Sequence, residues 1–420
     1  MHQKTTLANG LRLVTESMPH TRSVAISFFI GTGSRYETDK QAGISHFIEH
    51  MCFKGTQKRP TSVDVCTVIE GVGGMLNAGT DKELTIYWCK VASPHFDSAL
   101  DVMVDILTGS IFDPAEIEKE RQVIIEEINM SLDSPSQRVS MLIDELMWPG
   151  HPLGRDIAGS KESVTGLSRE MMLDYMAAQY RPDNAVLAIA GDIQHDEMVE
   201  AVSRAVSEWR DIKPLSGYTP YHGKIKRRVL IEKRDTEQTQ MCLALPGLSI
   251  VHPDRFKLDL LNVILGEGMS SRLFTEIRDK LGLAYSIQSY AEHFLDTGAM
   301  TISAGVDDKN LAVAITAILA ELARLNGPVP EAELVKAKEL FKGRILLRME
   351  DSRSVSGWLG GQEILNGKIL TVDEVVSQVE AITATELQKL AEELFIPAQI
   401  RLALVGPISP EAPLENLLKI

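Results

Sequence analysis

The sequence predicts two domains of one duplicated type, each built from both strands and helices. A chain of 420 residues is too long for one ordinary hydrophobic core, so two domains of about 200 residues are expected. Shifting the chain by 215 residues places the apolar strand 185–190 on the strand 400–405, and Gly191 on Gly406. Equivalent features at one offset indicate an internal repeat.

The elements of the first half follow from apolar patterning and from caps. The run 24–30 is nearly continuously apolar and ends at Gly31, as a central strand would. Similar patterns predict further strands at 7–16, 83–91 and 185–190. Helical periodicity predicts a motif helix after 31–41 and helices at 62–71, 94–110, 114–132, 163–180 and 197–209.

Composition and charge exclude two classes of partner. A net charge of −15 leaves no basic stripe that could neutralise phosphates, so nucleic acid is not expected as a partner. The acidity either attracts cationic peptides or serves only solubility. No window approaches the roughly 18 apolar residues of a membrane span. Residues 1–7 lack the apolar core of a signal peptide, and we expect a cytoplasmic protein without a membrane partner.

The segment from His46 to His50 carries the clearest chemical pattern. Two histidines four residues apart share one helix face, within reach of a metal bound at about 2.0–2.1 Å. Glu49 lies near that face and is placed to take a proton from a water there; this order is the inverted zinc-peptidase motif. The alternative is a charged amphipathic helix with incidental histidines. Cys52 points to another side of the helix and is not expected as a ligand.

A third protein ligand is expected on the helix 114–132. Two histidines leave a catalytic zinc site one protein ligand short, and that ligand is commonly a glutamate. Glu120 and Glu127 are seven residues apart and lie on one helix face, whereas Glu126 is rotated by about 100° from Glu127. Taken alone, a charge-rich helix is more typical of a solvated face.

The second copy of the repeat lacks this chemistry. At the offset of 215, within a residue or two, the three motif residues meet Leu261, Ile264 and Leu265. Prolines and glycines without an apolar period separate the two copies. The sequence therefore predicts a catalytic zinc-binding domain at 1–213, a linker at 214–225 and a degenerate repeat domain at 226–420.

Two other stretches carry candidate substrate contacts. Residues 73–80, which include Asn77 and Ala78, suit a strand edge that a substrate backbone approaches or, equally well, a hairpin with a glycine turn. Arg278 and Tyr285 are possible hydrogen-bond donors to an oxyanion. Local sequence alone favours a surface arginine and a core tyrosine.

With these residues, the chain resembles the pitrilysin/insulinase family of zinc metallopeptidases. It is most similar to the half-length branch of mitochondrial processing peptidase subunits and bacterial processing proteases, over nearly its whole length. The segments that carry the resemblance are 43–51, 53–56, 74–78, 120–124 with Glu127, and 278–285. It implies an α+β fold of two homologous domains, each a mostly antiparallel β-sheet with helices packed against it.

The resemblance implies roles for the three motif residues and for two glutamates of the predicted helix 114–132. His46, His50 and Glu127 are expected to bind one zinc ion per chain, and Glu49 to act as the general base. Glu127 follows His50 by 77 residues, which matches the family's spacing and selects it over its neighbour. Glu120 is expected to orient a ligand or a water without binding the metal itself.

The resemblance also implies how the substrate is held. Asn77 and Ala78 match the strand edge that pairs with the substrate backbone. Arg278 and Tyr285 match a pair that, in the family, reaches the site from the other half of the chamber and steadies the substrate carbonyl. This implied role replaces the surface arginine and core tyrosine that the local sequence favours. Four such domains form a clamshell in the family and this chain supplies two, so a homodimer with the pair acting in trans is expected.

These expectations describe a zinc endopeptidase that hydrolyses peptides or unfolded segments in a chamber formed by two chains. One alternative is a noncatalytic structural subunit, as relatives in respiratory complexes are; those usually have eroded metal motifs, and this one is intact. Another is the active half of a heterodimeric peptidase.

Overall fold

The computed structural model describes residues 2–210, 213–223, 227–409 and 412–418. The chain divides into two compact units. Unit 1 consists of Met1–Ile128, Asp156–Thr219 and Leu346–Thr371. Unit 2 consists of Asn129–Arg155, Pro220–Ile345 and Val372–Ile420.

Unit 1 contains a six-stranded sheet. Its strands are β1 Gln3–Thr6, β2 Arg12–Ser17, β3 Ser23–Ile30, β4 Met75–Thr80, β5 Thr85–Ala92 and β6 Ala185–Gly191. Their order is β1-β2-β6-β3-β5-β4, and neighbours are antiparallel except for the parallel pair of β2 and β6. The apolar β3 lies inside the sheet and is buried from its second residue to its last, as its sequence predicts.

Unit 2 contains a five-stranded sheet of the same design. Its strands are β7 Val229–Lys233, β8 Thr239–Pro246, β9 Ala284–His293, β10 Gly298–Val306 and β11 Arg401–Gly406. Their order is β7-β11-β8-β10-β9, with β7 and β11 parallel and the other neighbours antiparallel. Apart from β1, the two sheets share strand order and direction. The predicted α+β class, with mostly antiparallel sheets, is confirmed.

The helices of the described chain are distributed over both units. They are α1 Ile44–Met51, α2 Ser62–Glu70, α3 Phe96–Thr108, α4 Pro114–Asp133, α5 Pro135–Met147, α6 Lys161–Gly166, α7 Arg169–Gln179, α8 His195–Ala205, α9 Arg255–Gly266, α10 Leu311–Leu325, α11 Glu331–Arg348, α12 Ser352–Asn366, α13 Val372–Ala381 and α14 Ala384–Leu394. A π-helical segment spans Phe274–Lys280. Within the residues described, no helix is both long enough and apolar enough to cross a membrane.

Two predicted elements differ from the structure for local reasons. The helix predicted over 163–180 is two helices, because the hydroxyl of Ser168 accepts the N–H of Met171 and caps a new helix. The strand predicted over 7–16 begins late, because Gly10 at φ 92° helps to turn the chain back between β1 and β2.

One helix in each unit comes from the other half of the sequence. In unit 1, α12 packs on β2, β3 and β6, where the hydroxyl oxygens of Ser27 and Ser356 lie 2.8 Å apart. In unit 2, α5 packs on β7, β8 and β11 in a core that includes Leu142, Cys242 and Ala403. Each half of the sequence therefore supplies a helix that buries the sheet of the other half.

This exchange corrects the continuous domain boundaries expected from the sequence. Residues Asn129–Arg155 of the predicted domain 1–213 belong to unit 2. Residues Leu346–Thr371 of the predicted domain 226–420 belong to unit 1. The predicted linker 214–225 is divided after Thr219, and its last two residues lie outside the described residues, as do 211 and 212. Apolar periodicity identifies a helix but not the sheet on which it packs.

The packing of α12 gives a first prediction. A Cβ on Gly360 would lie 2.1 Å from the buried ring of Phe29 on β3, whereas a Cβ on Gly361 would meet nothing within 4 Å. Gly360→Ala should lower the free energy of unfolding by about 1–3 kcal/mol through overpacking. The control Gly361→Ala should leave it unchanged or raise it by up to about 1 kcal/mol. Equal denaturant midpoints for the two variants would contradict this packing.

Candidate metal centre

The helix α1 begins at a position that the surrounding chain fixes closely. Gly43, immediately before it, has φ 92°, and a Cβ there would lie 2.4 Å from the carbonyl oxygen of Ala158. The buried carboxylate of Glu37 accepts the N–H groups of Gly43 at 2.8 Å and of Ser45 at 2.9 Å. These bonds satisfy backbone donors that the first turn of a helix leaves free, and they set negative charge at the positive end of the helix.

The two faces of α1 separate packing from chemistry. One face is buried and consists of Ile44, Ser45, Phe47, Ile48 and Met51. The opposite face carries His46, Glu49 and His50, all of them partly exposed. The 3.6-residue period thus gives the apolar residues to the core and leaves the three motif side chains at the surface of the unit.

Three side chains converge in an arrangement that fits a tetrahedral metal ion. The Nε2 atoms of His46 and His50 lie 3.2 Å apart, and each lies 3.8 Å from Oε2 of Glu127. Two ligand atoms bound at the usual zinc distances and a tetrahedral angle lie about 3.3–3.6 Å apart. Among the described residues, these three form a group whose ligand atoms all lie within 4.8 Å of one another. The donor set, two imidazoles and a carboxylate, is one that zinc accepts.

The protonation of His46 suits metal binding. Burial, together with the neighbouring His50, lowers the pKa of His46 to about 4. The imidazole is therefore neutral near pH 7 and has a lone pair to offer to a metal.

Helix α4 packs one face into the core of unit 1 and carries the glutamates of the site. Its Ile117, Ile124 and Ile128 are buried in unit 1. Glu127 is partly exposed beside the histidines, while Glu126 is exposed and is absent from the metal-binding group. The structure thus places on the site the residue selected by spacing.

Glu120 supports His50 from behind the metal-binding group. Its Oε1 lies 2.8 Å from Nδ1 of His50, and its Oε2 lies 2.6 Å from the ammonium of Lys54. Burial raises the pKa of Glu120, but the hydrogen bonds from His50 and Lys54 outweigh burial and leave the pKa below its ordinary value. An ionised carboxylate only accepts, so Nδ1 of His50 carries a proton, and in the neutral imidazole the lone pair lies on Nε2. Sequence reasoning missed Lys54.

Glu49 is held by a residue of the edge strand. The hydroxyl of Thr80, the last residue of β4, donates to Oε2 of Glu49 at 2.6 Å. Burial raises the pKa of Glu49, although the hydrogen bond from Thr80 opposes the rise. A carboxylate with a raised pKa is a stronger base near neutral pH. Thr80 carried no sequence signal for this contact, because it lies 31 residues from its partner.

Asn77 and Ala78 lie on an edge of the first sheet. Of the described strands, only β5 pairs with β4. The N–H of Ala78 donates to the side chain of Asn77 at 2.8 Å, and so points away from β5. The main chain at Ala78 therefore faces the edge where another strand can be added.

Arg278 and Tyr285 lie together in unit 2, whereas the metal-binding group lies in unit 1. The guanidinium carbon of Arg278 is 5.9 Å from the centre of the Tyr285 ring and 4.5 Å from that of Phe274. Tyr285 is 79% exposed, so the reading of a core tyrosine is wrong. Arg278 belongs to the π-helical segment, a conformation frequent at functional sites.

Solved structures share the fold over nearly the whole chain. A protease from Helicobacter pylori superposes with a TM-score of 0.91 at 24% identity, covering 97% of this chain and 99% of that chain. A peptidase M16 inactive domain from Pseudomonas fluorescens gives 0.90 at 18%, covering 98% and 100%. A chain of complex III2 from Candida albicans gives 0.83 at 20%, covering 99% and 98%.

Sequence comparison identifies the family. The model described as "Insulinase (Peptidase family M16)" matches residues 12–161, and "Peptidase M16 inactive domain" matches 166–341. The uncharacterised zinc protease YmxG of Bacillus subtilis is 36% identical, covering 97% of this chain and 98% of the relative. An uncharacterised zinc protease of Mycobacterium leprae is 35% identical, covering 99% and 94%. The resemblance noted in the sequence is confirmed, and this chain belongs to peptidase family M16.

Proposed function

We propose that this chain is a zinc-dependent endopeptidase that hydrolyses peptides or unfolded segments. The observation that carries the proposal is the convergence of His46, His50 and Glu127, with Glu49 on the same partly exposed face of α1 as the histidines. Membership of a peptidase family and relatives named as zinc proteases support the same function.

The roles of the site residues follow from their contacts. His46, His50 and Glu127 would hold one zinc ion per chain, which when bound polarises the scissile carbonyl and makes water more acidic. Glu49 accepts a proton from the attacking water at Oε1, since its Oε2 already accepts the Thr80 hydroxyl. Glu49 then returns a proton to the leaving amine.

Substrate binds in this proposal as an added strand along β4. The outward backbone of Ala78 pairs with an extended peptide after Asn77 releases its N–H. Thr80 ends the same strand and holds Glu49, which brings the peptide to the base. Pairing through the main chain suits unfolded segments, because most of their backbone N–H and C=O groups are not already paired within a fold.

The working unit in this proposal is a homodimer that encloses the substrate in a clamshell. Arg278 and Tyr285 of one chain act on the site of its partner, where their N–H and O–H groups stabilise the developing oxyanion. The exposure of Tyr285 and the nearness of Arg278 support such a donor pair. A heterodimer with another chain is the alternative arrangement.

A structural subunit is the alternative function. Its support is the similarity in fold to a chain of complex III2. The complete donor set of His46, His50 and Glu127 favours catalysis, because a scaffold has no need of three converging metal ligands.

The purified chain should contain about one zinc per chain and cleave a quenched fluorogenic peptide, and a chelator should stop the cleavage. Glu49→Gln should keep the zinc but lower kcat by at least about 100-fold, because the amide cannot accept the proton. Metal analysis and steady-state kinetics measure both effects.

The two neighbouring glutamates of α4 provide a matched control. Glu127→Gln should lose the zinc, whereas Glu126→Gln should keep both zinc and activity. A zinc-free wild-type chain would leave the structural subunit as the better explanation, and undiminished turnover by Glu49→Gln would overturn the assignment of the base.

Thr80→Val should lower kcat about tenfold or more while KM and zinc content stay unchanged. Loss of a hydrogen bond to a charged group, worth about 1.5–3 kcal/mol, frees the base to turn away from the water. Thr80→Ser keeps the hydroxyl and serves as the control, with kinetics near those of the wild type. A normal kcat for Thr80→Val would show that the 2.6 Å contact has no catalytic role.

Mixing two inactive variants tests whether the donor pair acts in trans. Glu49→Gln lacks the base, and the double variant Arg278→Ala with Tyr285→Phe lacks the donors. If subunits exchange and each pair serves the partner's site, a mixed dimer has one complete site and activity reappears. No recovery, with mixed dimers demonstrated by mass measurement, would contradict action in trans.

A further inference from the structure

We propose that Lys54 is a positioning residue for zinc: it fixes the carboxylate of Glu120, which in turn fixes the ring of His50. The inference rests on the proposed function, because it concerns the affinity of the same metal site. The ion pair of Lys54 and Glu120 has no role in the mechanism proposed above, and this inference gives it one.

The carboxylate of Glu120 is engaged at both oxygens. His50 contacts Oε1 at 2.8 Å and Lys54 contacts Oε2 at 2.6 Å. The side chain of Glu120 is only 7% exposed, so water has little access to replace either partner. Loss of one partner leaves a buried carboxylate oxygen unpaired, which costs free energy. The remaining contact then no longer fixes the orientation of the carboxylate.

Lys54 is itself held in place by the turn that follows α1. Its N–H donates to the carbonyl of Met51 at 3.1 Å. The next residue, Gly55, has φ 125°, and a Cβ there would lie 2.3 Å from the carbonyl oxygen of Pro60. The N–H of Ile111 binds the carbonyl of Gly55 at 3.2 Å. The ammonium therefore extends from a backbone with little freedom.

The two histidines receive unequal support. Nδ1 of His46 is buried and has no hydrogen-bond partner among the described residues. Nδ1 of His50 has Glu120, and Glu120 has Lys54. A metal-binding histidine usually needs such a partner to fix its tautomer and ring orientation, and loss of the partner typically lowers metal affinity about 10–100-fold. The pair of Lys54 and Glu120 thus orients the ring of His50, and His46 has no such partner at its Nδ1 among the described residues.

Zinc affinity of the full-length chain tests the inference directly, without relying on turnover. The probe is Zn²⁺ in competition with a chromophoric chelator. Lys54→Met should lower the affinity about tenfold or more, and Lys54→Arg, which restores a donor and a positive charge, should recover most of the loss. The control Lys58→Met removes the same charge from a lysine that is 63% exposed and pairs with Asp101; its affinity should equal that of the wild type.

A double-mutant cycle separates positioning from a general effect of charge or stability. Because Lys54 acts through Glu120, Lys54→Met should have little further effect on zinc affinity once Glu120→Gln is present. This comparison stands even if Lys54→Met lowers thermal stability, since each affinity is measured on protein shown to be folded by circular dichroism.

Three results would overturn the inference. Wild-type zinc binding with unchanged affinity in Lys54→Met would refute it and leave the proposed function intact. An undiminished effect of Lys54→Met in the Glu120→Gln background would refute the route through Glu120. Absence of zinc from the wild-type chain would overturn the proposed function and this inference together.

Discussion

The candidate site depends on the buried carboxylate of Glu37 at the start of α1. This helix is only eight residues long, too short to be stable by its own hydrogen bonds, so its placement relies on tertiary contacts. Glu37 binds its first N–H groups while four apolar side chains and Ser45 are buried in unit 1. With the helix fixed at its start and along one face, the opposite face presents His46 and His50 at a constant distance.

The parts of the site that follow from local periodicity could be predicted from the sequence. The i and i+4 spacing of His46 and His50 determines that they share a face in any regular helix. The third ligand lies 77 residues after His50 and reaches the site through tertiary structure. Periodicity limited the candidates for this ligand only to one face of α4. The choice of Glu127 came from the spacing typical of the family.

Other contacts lay beyond what sequence reasoning can find. Lys54 pairs with a residue 66 positions later and Thr80 with one 31 positions earlier, and no short-range pattern encodes either pair. The strand order of both sheets repeats as the duplicated sequence suggests. The prediction of continuous domains was wrong at α5 and α12, because the sequence of an amphipathic helix does not show which sheet the helix covers.

The exchanged helices bear on how a chain of this kind arises. Two separate half-length copies would each carry a helix suited to the sheet of the other, and trading those helices would make them a domain-swapped dimer. Fusion of the two copies into one polypeptide makes the trade permanent and independent of concentration. Each half of the sequence then depends on the other for a helix that buries its sheet, whether or not it carries metal ligands of its own.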